Sequence, residues 1–143
     1  MNPFHTWLEA HAGTERSGTN ELWLDPAGNE AELSDGSLRV ESDGIFYTWS
    51  FRGTPHTGEL RSGDGLIWTD SWHQPEIVQL EPVRDHGAIV AGEYSYPTGS
   101  GPDWHWRLKL VQRPDDTLIL QMTNIASWGE EARAVRLTLP KAD

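Results

Sequence analysis

The sequence predicts a mainly β protein, a single antiparallel up-and-down barrel of about 8–10 strands with one short N-terminal helix. Three observations predict it. Ile45, Tyr47, Trp49 and Phe51 alternate with Phe46, Thr48, Ser50 and Arg52, and Trp104, Trp106, Leu108 and Leu110 alternate with His105, Arg107, Lys109 and Val111. Period two is the signature of a half-buried strand, because successive side chains leave opposite faces of a sheet. Turn-forming residues then punctuate the chain at short intervals with no helical crossover between strands, which implies a hairpin-linked meander. Finally, there are eight tryptophans in 143 residues, several of them in the inward phase, as in a sheet curled around an aromatic interior. Closing the meander abolishes edges that would invite aggregation. A two-sheet sandwich is the competing arrangement.

The elements follow in order. Asn2 reads as an N-cap and Pro3 as the first helical residue, where its missing N–H costs nothing. Phe4, Trp7, Leu8 and His11 then form an apolar stripe at helical spacing, and Gly13 is a suitable stop, so a helix is expected at about 3–12. Candidate strands lie near 18–24, 29–33, 37–42, 45–52, 56–61, 65–72, 76–82, 88–96, 104–112, 117–124 and 132–139. Between them stand the turn sequences Ser34-Asp35-Gly36, Ser42-Asp43-Gly44, Ser62-Gly63-Asp64-Gly65, Asp85-His86-Gly87 and Pro114-Asp115-Asp116. Pro97 to Pro102 is the longest break and the expected mobile loop. No internal repeat or linker divides residues 1–143.

Composition removes several function classes. The formal net charge is −11, from 22 acidic and 11 basic residues. Such a surface repels phosphate backbones and anionic lipid headgroups, so neither nucleic acid nor membrane is an expected partner. There is no cysteine, hence no disulfide, thiolate metal site or cysteine nucleophile. No apolar run approaches the roughly 20 residues that span a bilayer, and the N-terminal segment lacks the pattern of a secretory signal. The expected location is cytoplasmic.

Nucleophile elbows, phosphate-cradling loops and Ser-x-x-Lys are absent. The six histidines (His5, His11, His56, His73, His86 and His105) form no standard zinc spacing, so no metal and no cofactor is expected. Arg52, Arg61, Arg107, Lys109 and Arg113 mostly fall on outward phases. The inward phase of residues 66–72 is the most useful lead. If Leu66 and Trp68 face the interior, Asp70 and Trp72 do so too. A carboxylate there must find donors or become protonated. Asp70 then either anchors a ligand or acts as a general base with His73 or a tyrosine as its partner, or it bonds backbone N–H groups or a neighbour's hydroxyl at the strand end. Tyr47, Trp49, Trp68, Trp72, Tyr94, Tyr96, Trp104 and Trp106 either pack a dry interior or line a cavity with a few polar tips. Gly92 and Asn124, small residues at inward positions, leave room for such a cavity.

The chain resembles the calycin group, which comprises lipocalins, fatty-acid-binding proteins and bacterial lipocalin-like families of unknown function. The resemblance rests on the helix at Pro3–His11, the Ala12-Gly13-Thr14 step into the first strand, and Leu66-Ile67-Trp68-Thr69-Asp70-Ser71-Trp72-His73. It also uses Gly92-Glu93-Tyr94 and Trp104-His105-Trp106-Arg107-Leu108. The chain departs from the group at Gly13-Thr14-Glu15, where many calycins carry Gly-x-Trp, and Glu15-Arg16-Ser17-Gly18 does not match the glycine-rich extension of haem-binding relatives. The resemblance implies a lipocalin-like barrel that takes a small, mostly apolar or aromatic ligand. Tyr47, Trp49, Trp68, Asp70, Trp72, Tyr94, Trp104, Trp106 and Asn124 are its candidate binding residues. The alternatives are an enzyme using Asp70 and His73 in the same cavity, a packed barrel acting through its surface, including as a homodimer, and, last, haem binding.

Overall fold

The computed structural model describes residues 3–25 and 28–141. One helix, α1 (Pro3–His11), precedes ten strands: β1 (Glu15–Leu22), β2 (Glu32–Glu41), β3 (Gly44–Phe51), β4 (Thr54–Ser62), β5 (Leu66–Asp70), β6 (Gln74–Pro82), β7 (Val90–Tyr96), β8 (Trp104–Gln112), β9 (Leu118–Ile125) and β10 (Glu131–Leu139). Each strand pairs antiparallel with its sequence neighbour, and β1 closes on β10 from Thr19↔Thr138 to Leu22↔Val135. The expected barrel is therefore present, without the open edges of a sandwich. Among the described residues no helix is long and apolar enough to cross a membrane.

The helix forms as its stripe suggests. Phe4 and Leu8 are buried, and Trp7 packs partly against the core. Gly13 ends the helix at φ +89°, a conformation that strains any residue with a Cβ, and donates its N–H to Val40 O at 2.8 Å. The Trp7 indole N–H reaches Gln112 at the end of β8. These contacts seat α1 across the mouth where β2 and β8 end and β9 begins. The Asn2 cap lies outside the described residues.

Two expected elements differ. Residues 29–33 and 37–42 are not separate strands, and Ser34-Asp35-Gly36 is not a turn. All three residues continue β2, in register with β1 as Asn20↔Ser34, Thr19↔Asp35 and Gly18↔Gly36. The glycine there answers a packing demand: a Cβ on Gly36 would lie 2.3 Å from Leu137 Cδ1. Long-range pairing overrides the local turn chemistry of Ser-Asp-Gly. At the other difference, β5 stops at Asp70, so Trp72 lies in a turn over residues 71–73 rather than on the inward phase of a strand.

The interior is graded along the barrel axis. Leu38, Val40, Ile45, Leu110, Leu118, Leu120 and Leu139 fill the end beneath α1. Odd-numbered strands end, and even-numbered strands begin, at the opposite mouth. That mouth collects Trp49, Phe51, His56, Trp72, His73, Tyr96 and Trp106. Gly92 leaves no gap in between, contrary to expectation, because a Cβ there would meet Leu66 Cδ2 at 2.8 Å and Leu80 Cβ at 3.0 Å.

Candidate functional site at the open mouth

A row of three residues across neighbouring strands builds the floor of this mouth. Tyr47 on β3 faces Gly58 on β4, which faces Asp70 on β5. A side chain at the middle position would collide with the tyrosine, since a Cβ on Gly58 would sit 2.2 Å from the Tyr47 hydroxyl. The missing side chain lets the phenol lie flat across β4 and donate to Asp70 Oδ2 at 2.5 Å. The same hydroxyl accepts the Trp68 indole N–H at 2.9 Å.

Asp70 is 1% exposed and its second oxygen is also engaged. Oδ1 accepts the backbone N–H groups of Trp72 at 2.7 Å and His73 at 3.0 Å. The carboxylate thus staples the turn after β5, folding Trp72 and His73 back over the mouth. Burial raises its pKa, opposed first by the Tyr47 hydrogen bond and then by the two backbone bonds. Burial likewise lifts the Tyr47 phenol well above its ordinary range, with the Asp70 charge adding to the effect.

The two aromatic residues of the turn go to different clusters. Trp72 meets Trp49, Phe51 and His56 edge-on, with ring centres 5.6, 5.3 and 5.1 Å away. His73 stacks on Trp106 at 3.7 Å with ring planes 13° apart, and Tyr96 meets its edge at 4.8 Å. Burial lowers the His73 pKa from 6.5 to about 4, so the imidazole is neutral around physiological pH.

A recess of about 220 Å³ opens beside the His73–Trp106 stack. Of the expected binding residues it brings together Trp72, Trp106 and Asn124, joined by His73 and Tyr96. Tyr47, Trp49, Trp68, Asp70 and Tyr94 do not line it. Asp70 stands behind the turn, while Tyr47, Trp49, Trp68 and Tyr94 are packed in the core. Trp104 is half-buried and meets the exposed Trp128 edge-on at 5.5 Å, away from the recess. The remaining lining comes from Leu22, the last residue of β1, from Trp23 and Leu24 after it, and from Ala132, Arg133 and Ala134 on β10. Sequence reasoning missed these because only the closure of the first strand on the last brings them to Asn124 and Trp106. The backbone N–H of Trp23 bonds Ala134 O at 2.9 Å, and the Arg133 guanidinium lies 4.4 Å over the Trp23 ring.

Polar atoms around the recess are short of partners. The indole nitrogens of Trp23 and Trp106 and Nε2 of His73 are buried and bond to nothing among the described residues. Asn124 Oδ1 accepts the Tyr96 hydroxyl proton. A buried polar group left without a partner costs about 1–3 kcal/mol, and these three nitrogens lie beneath the lining rather than open to the void. A larger groove, about 430 Å³, runs along the outer wall of β2–β5 past Arg39, Phe46 and Glu59. It lies away from these unpartnered atoms. No group of three or more His, Asp or Glu placed to hold a metal occurs among the described residues.

Compared with known proteins, the chain matches no protein-family model, no curated protein and no solved structure.

Proposed function

We propose that this protein is a small-molecule binding barrel of calycin type, and that its site is the aromatic recess at the mouth opposite α1. One observation carries the reading: the aromatic side chains of Trp72, His73, Tyr96 and Trp106, with Asn124 and Arg133, line one void of about 220 Å³. A cavity of about 150 Å³ is enough for a benzene ring, so this recess suits one ring with a few substituents. Stacked and edge-on aromatics on its walls favour a flat guest. The ligand is smaller than a barrel-filling lipid, because side chains occupy the rest of the interior.

The geometry gives less support to an acid–base enzyme. Both Asp70 oxygens are engaged by three donors, and the carboxylate does not line the recess. Asp70 serves instead to position Trp72 and His73.

The test is a titration of the intact chain with indole and benzyl alcohol, following the tryptophan indole N–H signals by NMR. Binding at the mouth moves the Trp106 signal and leaves that of Trp7, bonded to Gln112 at the opposite mouth, in place. If neither ring perturbs Trp106, the recess is not a ligand site. A packed barrel acting through its surface, where Trp128 is exposed, would then be the better reading.

A further inference from the structure

We propose that the mouth recess selects a flat ring carrying a carboxylate, an aromatic acid, over its neutral and cationic counterparts. This rests on the recess being the ligand site and concerns what it takes.

Among the described residues the lining holds donors and no acidic side chain. The indole N–H groups of Trp106 and Trp23 are buried beneath the lining, so the donors available to a guest are those of Asn124 and Arg133. Asn124 uses its oxygen to accept from Tyr96, which leaves its amide NH₂, a pair of donors, with no partner among the described residues. Neutral His73 adds one N–H and one lone pair. Arg133, at the rim over Trp23, is the single cationic side chain of the lining among the described residues. Against these donors stand few side-chain acceptors, the His73 lone pair, the Tyr96 oxygen and the second lone pair of Asn124 Oδ1.

A carboxylate has about four acceptor sites and no donor, and its hydrogen bonds are the stronger charge-assisted kind. It therefore complements this set, whereas an ammonium group would face N–H donors and a guanidinium. The preference runs against the molecule as a whole, whose net charge of −11 repels anions. An acid-free lining on so acidic a chain is what makes anion capture there specific to the recess.

The experiment titrates the intact protein with benzoate, benzyl alcohol and benzylammonium, reading the Trp106 indole N–H by NMR at low and raised salt. Benzoate is expected to bind about tenfold or more tightly than benzyl alcohol, with benzylammonium weakest and the margin shrinking as salt rises. Asn124→Asp keeps an acceptor for Tyr96 and replaces the donor pair with a negative charge, so it should abolish or reverse the preference for benzoate. If benzyl alcohol or benzylammonium binds wild type as tightly as benzoate, the selectivity is refuted while the recess remains a ligand site. An Asn124→Asp variant with undiminished preference for benzoate also refutes it. If none of the three moves the Trp106 signal, both readings fall together.

Discussion

Replacing Tyr47 with phenylalanine removes one oxygen and leaves the ring in place over Gly58. That oxygen serves two buried partners, donating to Asp70 at 2.5 Å and accepting from Trp68 at 2.9 Å. A hydrogen bond to a charged group is worth about 1.5–3 kcal/mol, and stranding the buried Trp68 donor costs about 1–3 kcal/mol more. The two losses share an atom and are not strictly additive, so Tyr47→Phe should lower unfolding stability by about 2–5 kcal/mol at neutral pH. The deficit should also depend on pH. Asp70 has a raised folded-state pKa, so above its ordinary 3.8 the folded protein holds more proton than the unfolded chain. Stability from this group is full below that value and is lost as pH rises through the folded pKa. The Tyr47 bond restrains the rise, and deleting it pushes the Asp70 pKa further up, so the variant's deficit grows with pH and shrinks in acid. Urea unfolding of both proteins, followed by tryptophan fluorescence and far-ultraviolet circular dichroism across acid to neutral pH, reads this directly. A deficit below about 1 kcal/mol at neutral pH would refute the Tyr47–Asp70 argument, because it would mean the bond contributes no more than an ordinary exposed one. A deficit unchanged in acid would show that Asp70 is not the partner that matters.

Three further outcomes follow from the same geometry. Gly58→Ala drives a methyl to within 2.2 Å of the tethered Tyr47 ring, and should cost about 1–3 kcal/mol or more in the same unfolding assay; an unaffected variant would show that the phenol does not lie across β4. Asn20 is fully buried on β1 with neither amide atom partnered among the described residues, so Asn20→Leu, similar in shape, should gain about 1–2 kcal/mol. A loss of stability would instead show that the amide is hydrogen-bonded in solution. His73 has a folded pKa of about 4 against 6.5, so the unfolded chain binds the extra proton between those values. Its contribution is full above 6.5 and is lost as pH falls towards 4. His73→Phe should therefore flatten stability across that interval, and an unaltered slope would place the titration elsewhere.

Much of the fold is legible in the chain because period-two alternation and hairpin turns are local properties. Trp106, Leu108 and Leu110 announce their inward face within a few residues, as do Ile45, Tyr47 and Trp49. The helix at Pro3–His11 and its stop at Gly13 are equally local. The site is less legible. Trp72 and Asn124 were found as inward-phase candidates, yet the same reasoning also selected Trp49, Trp68 and Tyr94, which are core, and Trp104, which meets Trp128 outside the recess. Ser34-Asp35-Gly36 reads as a turn in isolation and is held extended by its pairing with β1.

Alternation tells which face a residue occupies; it carries no information about depth along the barrel axis. Depth depends on the register of every ladder and on the closure of β1 against β10, so only the folded barrel separates an aliphatic end under α1 from an aromatic end at the open mouth. Closure is also what brings Trp23 and Arg133 to Asn124. Gly58 shows the point at one residue. In the chain it is a glycine in a strand, a mild liability. In the barrel it is the empty position over which Tyr47 reaches Asp70, and so the reason Trp72 and His73 are held across the mouth.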